Sequence, residues 1–91
     1  MLGENSQPFS YKGQDFAGTN FDHQNLRGAD FTSANLDGAT FVKTNLQGAI
    51  FDKASLRQVS FQEANLTGAM LRFADLEEAY FFEADLNKAN L

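Results

Sequence analysis

The sequence predicts an all-β fold, a β-solenoid whose chain winds around one axis in four-sided coils. The first observation is a Phe or Leu at every fifth position from 16 to 91, sixteen central residues in unbroken succession. The second is alanine two places before the central residue in eleven of these sixteen units. The third is glycine two places after it, at positions 13, 18, 28, 38, 48 and 68. This pattern predicts a short extended side and a corner in every unit.

A period of five excludes the two common regular structures. Positions five apart on an α-helix are rotated by about 140°, so the central residues would share no face. On a straight strand, side chains alternate between the two faces, so an odd spacing would separate Phe31 from Leu36. All central residues point to one axis only if the chain bends in each unit.

The number of sides follows from the alternation of Phe and Leu between positions 21 and 66, which has a period of ten. Coils of twenty residues place like residues above one another, whereas coils of fifteen would mix them. Neighbouring coils are then about 4.8 Å apart, close enough for ring stacking and backbone pairing. The predicted structural core is Phe21, Leu26, Phe31, Leu36, Phe41, Leu46, Phe51, Leu56, Phe61, Leu66, Leu71, Leu76, Phe81 and Leu86.

Units such as Ala34-Asn35-Leu36-Asp37-Gly38 and Ala64-Asn65-Leu66-Thr67-Gly68 resemble the A-(D/N)-L-x-x motif of pentapeptide-repeat proteins. The resemblance covers residues 9–91 and implies a right-handed quadrilateral parallel β-helix, here with four five-residue sides per coil and about four coils. Departures, where another residue replaces the expected alanine, are Gln14, Thr19, Gln24, Thr44 and Val59.

The chain of 91 residues predicts one domain. Residues 1–8 precede the repeat and are interpreted as a lead segment that could cap the first coil. No polar cap follows the repeat, which reaches Leu91 in register. Because solenoids normally need terminal caps, we expect end-on self-association through the C-terminal coil, or continuation in a longer solenoid.

Composition restricts the classes of partner. The net charge of −5 and the scattered Lys and Arg residues argue against direct binding to nucleic acid. The absence of cysteine fits a reducing compartment, and no signal peptide or apolar membrane-spanning run is present. We therefore expect a cytoplasmic protein without a membrane partner.

No catalytic, cofactor-binding or metal-binding residues are predicted. His23 is the only histidine and falls on a corner that faces water. The oxygen ligands between Asp30 and Asn35 lack the spacing of a calcium loop. Residues 25, 45, 65 and 85 precede central residues twenty apart, and we expect their side chains to stack as an amide ladder.

Apolar residues at outward positions predict a contact surface with an unidentified protein partner or a second copy. The predicted interface residues are Ile50, Met70, Phe73, Tyr80, Phe82 and Leu91. Packing of these side chains among themselves is the alternative interpretation.

Two functions are compatible with these features. The first is a non-enzymatic scaffold or interaction module. The second, implied by the resemblance, is regulation of DNA gyrase or topoisomerase by an acidic rod that mimics duplex DNA. Its only support in the sequence is the acidic cluster of the last coil, Asp75, Glu77, Glu78, Glu83 and Asp85. Charge density opposes mimicry, because DNA carries about one charge per 1.7 Å and a rod of roughly 20 Å would need about a dozen uncompensated negative charges.

Overall fold

A computed structural model describes residues 9–91, and the predicted cap at residues 1–8 lies outside this range. Parallel bridges join residues twenty positions apart, from Ser10 with Asp30 to Met70 with Asn90. The coil therefore has four sides of five residues, as the Phe and Leu alternation predicts. We refer to the coils as 11–30, 31–50, 51–70 and 71–90. Residues 9–91 contain no helix that is long and apolar enough to cross a membrane.

Each side contributes a single bridged residue, the one before the centre, and no longer strand forms in residues 9–91. Three backbone bonds per side hold adjacent coils together. The N–H of Phe21 donates to the Thr40 carbonyl (2.8 Å), and the N–H of Thr40 donates to the Thr19 carbonyl (3.0 Å). At the corner, the N–H of Gly28 donates to the Gln47 carbonyl (2.9 Å). Because two residues of each unit form the corner, little of the side has ladder geometry.

The corner is a β-turn with positive φ at its third residue. The carbonyl of Leu36 accepts from the N–H of Ala39 (3.0 Å), and Gly38 between them has a φ of 72°. This is the pattern of a type II turn, which favours glycine. Other residues adopt the same conformation at equivalent corners, for example Lys43 with a φ of 55°.

Four faces run along the solenoid, and we name each after its first central residue. In chain order they are the Tyr11 face (Tyr11, Phe31, Phe51, Leu71), the Phe16 face (Phe16, Leu36, Leu56, Leu76), the Phe21 face (Phe21, Phe41, Phe61, Phe81) and the Leu26 face (Leu26, Leu46, Leu66, Leu86). The Tyr11 and Phe21 faces are therefore on opposite sides of the molecule.

Two stacks of phenylalanine rings fill the shaft. On the Phe21 face, the ring of Phe41 stacks on Phe21 (centroids 4.9 Å apart) and under Phe61 (5.3 Å). It meets Phe31 and Phe51 of the opposite stack edge-on, at 5.8 and 5.7 Å. The aliphatic centres of the other two faces complete each layer, and the central residues from Phe21 to Leu71 are all buried. Interlocked stacked and edge-to-face pairs favour one fixed arrangement of the core.

The positions that depart from alanine are accommodated differently. Val59 and Thr44 are buried, and the Thr44 hydroxyl donates to the Phe21 carbonyl (2.9 Å). Gln24 is exposed. The turn bonds to the N–H of Gln24, Thr44 and Val59 measure 3.3–3.4 Å, but that of Thr19 measures 3.0 Å and that of Ala74 measures 3.3 Å. The length of the turn bond therefore does not follow side-chain size alone.

The last coil is less enclosed than the middle ones. Leu76, Phe81 and Leu86 are only partly buried, and Leu91, above Leu71, is 67% exposed. Their core layer has no further described coil above it.

Replacing Phe41 with alanine should lower the free energy of unfolding by about 3–5 kcal/mol, because the ring is fully buried within the double stack. Urea denaturation measures this change. The Phe81→Ala variant should lose less, since Phe81 is only partly buried; equal losses would contradict the enclosed-shaft description.

Replacing Gly38 with alanine should lower stability by about 1 kcal/mol, because an L-residue is strained at positive φ. No atom lies within 4 Å of the added methyl position, so strain at the backbone is the expected cause. Thermal unfolding measures the change, and Gly38→Asn should lose less than Gly38→Ala. Equal losses for Asn and Ala would argue against backbone strain as the cause.

Candidate functional site

The backbone N–H that follows each central residue has no ladder partner and needs a side-chain acceptor. In most units, the residue before the centre supplies it: the N–H of Gln47 donates to Oδ1 of Asn45 (3.1 Å), and the N–H of Thr67 donates to Oδ1 of Asn65 (3.0 Å). Asn25 and Asp85 accept in the same way. The column is present, but the predicted amide ladder is wrong: within residues 9–91 no hydrogen bond joins these side chains to one another, and each Oδ1 accepts within its own turn instead.

In three other units, an aspartate of the preceding coil supplies the acceptor. Oδ1 of Asp22 accepts from the N–H of Val42 (2.8 Å), after Thr40. Asp37 accepts from the N–H of Arg57 (3.0 Å) in the same way. These aspartates are twenty residues before the amides that they serve.

Two units with an apolar outward residue have neither acceptor. Within residues 9–91, no hydrogen bond is found to the N–H of Asp52, two residues after Ile50, or to that of Phe82, two residues after Tyr80. An intramolecular hydrogen bond contributes about 0.5–1.5 kcal/mol, so each unit forgoes stability of this order. Residues that break a local rule without a compensating contact are candidates for function.

The structure divides the six predicted interface residues, which do not form one cluster. Ile50 and Met70 are bridged neighbours and are half-buried on the Tyr11 face. Tyr80 and Phe82 lie on the opposite Phe21 face, with side chains half-exposed and ring centroids 6.3 Å apart. Phe73 projects from a corner and is 86% exposed. Leu91 lies at the end of the shaft.

A shallow groove of about 550 Å³ runs along the Tyr11 face. It is lined by Lys12, Thr32, Ser33, Asp52, Lys53, Arg72 and Phe73. The Arg72 guanidinium donates to Oδ2 of Asp52 (2.6 Å), while the Arg72 N–H donates to Oδ1 (3.0 Å). The bond from the Arg72 side chain is the main cause that lowers the pKa of Asp52. Both oxygens of this carboxylate are therefore already engaged.

The pKa of Asp30, at the edge of the same face, is also lowered. Its Oδ1 accepts from the Thr32 hydroxyl (2.6 Å), the larger cause, and from the Thr32 N–H (2.9 Å). Oδ1 of Asn35 accepts from the N–H of Asp37 (3.1 Å). Two of the oxygens considered as calcium ligands are thus used in turns.

The Phe16 face carries most of the acidic excess. Its outward positions hold five carboxylates and one guanidinium: Asp15, Asp37, Asp75, Glu77, Glu78 and Arg57. Arg57 contacts Glu77 (3.0 Å) and, at a longer 4.0 Å, Asp75, and all three side chains are at least half-exposed. Such exposed pairs contribute little to stability, so this surface is mainly a local negative field.

His23 lies on an exposed corner with a φ of 65°. Among residues 9–91, no group of three His, Asp or Glu side chains is arranged to hold a metal ion.

These features define a four-sided β-solenoid whose distinctive residues lie on its outer faces. The chain belongs to the pentapeptide repeat family: a family profile described as "Pentapeptide repeat region" matches residues 14–91. The family fold is the right-handed quadrilateral β-helix.

Two solved structures illustrate the relationship. The chain is 33% identical to HetL of the cyanobacterium Nostoc sp. strain PCC 7120, a pentapeptide repeat protein involved in heterocyst differentiation regulation. The match has a TM-score of 0.76 and covers 85% of this chain but 38% of HetL. Alr5209, a pentapeptide repeat protein from Nostoc PCC 7120, is 26% identical with a TM-score of 0.50, over 82% of this chain and 66% of alr5209. No curated protein matches the chain.

Stability should fall in acid through Asp30 and Asp52. Because folding lowers both pKa values, their contribution is complete above the unfolded value of about 3.9 and is lost as pH falls through the folded values. Urea midpoints measured between pH 2 and pH 6 should show this decline. The Asp52→Asn variant should flatten it; a slope equal to that of the wild type would contradict the assignment.

Proposed function

We propose that this chain is a non-enzymatic interaction module that associates end-on with a second copy through coil 71–90. The observation that carries the proposal is the partly exposed core layer of this coil: Leu76, Phe81 and Leu86 are only partly buried, and Leu91, above Leu71, is 67% exposed. Exposed apolar groups gathered at one end are typical of a contact surface. Phe73, Tyr80 and Phe82 are also exposed, but they lie on a corner and a side face, outside the end-on contact.

Coil 71–90 also has backbone N–H groups that a further coil could pair with. The N–H of each central residue donates to a carbonyl nineteen residues later, and the N–H of Leu71 is the last to find this partner, at Asn90 (2.6 Å). The N–H groups of Leu76, Phe81 and Leu86 have no such acceptor within residues 9–91. Another coil placed on this surface would pair these groups and bury the partly exposed core layer. A further coil of a longer repeat would fit the same surface.

Regulation is the role that the comparison favours. HetL takes part in regulating heterocyst differentiation, which supports binding rather than catalysis as the use of this rod. The chain spans 38% of HetL, so the activity of HetL as a whole is not carried over.

Imitation of duplex DNA to regulate gyrase is a weaker second candidate, favoured only by the acidic Phe16 face. That face offers five carboxylates against one guanidinium over roughly 20 Å, far below the density of about one charge per 1.7 Å in DNA. We expect no inhibition or protection of DNA gyrase in a supercoiling assay at about 100 μM chain, a concentration that would reveal even weak binding. Inhibition that Asp75→Asn with Glu77→Gln abolishes would instead support mimicry.

Self-association should appear in sedimentation velocity as a dimer that dissociates on dilution. Replacing Leu91 with glutamate places a charge on the proposed interface and should weaken dimerisation at least about tenfold, since burying an unpaired charge is strongly unfavourable. Phe73→Ser alters an exposed corner away from the shaft and should leave the equilibrium unchanged. A wild-type chain that stays monomeric at about 100 μM would contradict end-on association.

A further inference from the structure

The Phe21 face carries an aromatic ledge on its last coil, formed by Tyr80 and Phe82. The rings are 51% and 53% exposed and nearly parallel, with an angle of 22° between their planes. Tyr80 is bridged to Ser60, and Phe82 lies above Gln62 in the same register. The equivalent outward residues of the earlier coils on this face are small or polar: Asn20, Asp22, Thr40, Val42, Ser60 and Gln62. The rings therefore project beyond a flatter surface.

Tyr80 occupies the position that elsewhere caps the turn. On the same face, Oδ1 of Asn20 accepts from the N–H of Asp22 (2.7 Å). Tyrosine has no acceptor that reaches its own turn, and no described residue replaces it at the N–H of Phe82. The ledge is thus a departure from the repeat that the fold does not require.

Carboxylates border the ledge. Glu78 and Glu83 occupy the two corners at which this side begins and ends, and Glu63 lies one coil below Glu83. Glu78 accepts a hydrogen bond from Nε2 of Gln58 (2.8 Å), and Glu63 accepts one from Nε2 of Gln62 (3.4 Å). Within residues 9–91, none of the three forms an ion pair. Lys43 occupies the corner below Glu63 but forms no ion pair in residues 9–91, so three carboxylates against one ammonium leave the rim with net negative charge.

The partner that suits this surface is cationic and planar. Aromatic faces carry negative electrostatic potential and attract cations, arginine more often than lysine. A guanidinium can stack on a ring while its N–H groups pair with a carboxylate, which an ammonium cannot do as well. Nucleic acid is disfavoured, because its phosphates would meet the three glutamates. A second copy is also disfavoured, because Arg57 and Arg72 are already engaged with carboxylates of their own chain, which leaves Arg27 as the one exposed guanidinium without an ion pair in residues 9–91.

We propose that Tyr80 and Phe82, with Glu63, Glu78 and Glu83, bind an arginine-bearing segment of a partner protein. The guanidinium stacks on the exposed rings and pairs with the bordering carboxylates. The proposal rests on the role of the chain as an interaction module, but not on self-association. The ledge lies on a side face, whereas the proposed dimer contact lies at the end of the shaft.

The test uses a fluorescein-labelled peptide, Ser-Arg-Ser-Arg-Ser-Arg-Ser, titrated with the 91-residue chain and followed by fluorescence anisotropy. The key variant combines Tyr80→Asn and Phe82→Gln. Asparagine at 80 supplies the missing turn acceptor, as Asn20 does, and glutamine at 82 reproduces Gln62 of the coil below. We expect a melting temperature no lower than that of the wild type, with peptide binding at least about tenfold weaker.

Ile50→Asn is the matched control, since it provides the same acceptor on the opposite Tyr11 face and should leave peptide affinity unchanged. Leu91→Glu should also bind the peptide normally, which separates this test from that of dimerisation. The lysine version of the peptide should bind more weakly than the arginine version. If the double variant fails to fold, Phe82→Gln alone serves as the test. It removes one ring, leaves residue 80 unchanged and should weaken peptide binding. Equal affinity of wild type and ledge variants, or no wild-type binding at about 1 mM, would overturn the proposal.

Discussion

The whole structure depends on a corner that the backbone must turn every five residues with positive φ. The constraint is satisfied at each corner from residue 13 to residue 88, by glycine or by a strained L-residue. The corner directs every central side chain to one axis, and only then can rings twenty residues apart stack at about 5 Å. Core packing and backbone pairing between coils are both consequences of this turn, since neither forms along a straight strand of the same sequence.

The outer surface is governed by a second requirement, an acceptor for the N–H after each centre. Two solutions exist: a short polar side chain within the same coil, such as Asn45, or an aspartate one coil earlier, such as Asp37. The second solution frees the residue before the centre to vary. Met70 is outward-facing without an unpaired amide behind it, because Asp52 serves the N–H of Arg72. Variation on the faces therefore follows hydrogen-bonding rules that act between coils as well as within them.

The twenty-residue coil is predictable from the sequence, because the period of five, the alternation of Phe and Leu and the corner glycines all specify it. The sequence is less informative about the outer residues. Vertical spacing alone predicts an amide ladder, but the oxygen of each Asn accepts from an N–H of its own turn, which is nearer. The separation of the outward apolar residues onto two opposite faces follows from the register, since Met70 and Tyr80 are half a coil apart. The pairing of Asp22 with the N–H of Val42 required the structure, because only the contacts between coils show that an aspartate one place after a centre, as at 22, 37 and 52, reaches the N–H twenty residues later.

Coil 71–90 combines backbone strain with the proposed contact surfaces. Glycine occupies three corners of coil 11–30 but none of coil 71–90, where Phe73, Glu78, Glu83 and Lys88 all have positive φ. An L-residue in this conformation is disfavoured by about 1–2 kcal/mol, and the same coil has the least enclosed core layer. Local stability should therefore decline from the middle of the solenoid towards coil 71–90. A partner that covers this coil would bury its core layer and pair its free N–H groups. Because such a partner binds only the folded coil, it would also stabilise it. The coil with the most exposed aromatic side chains is thus also the one whose order would depend most on being bound.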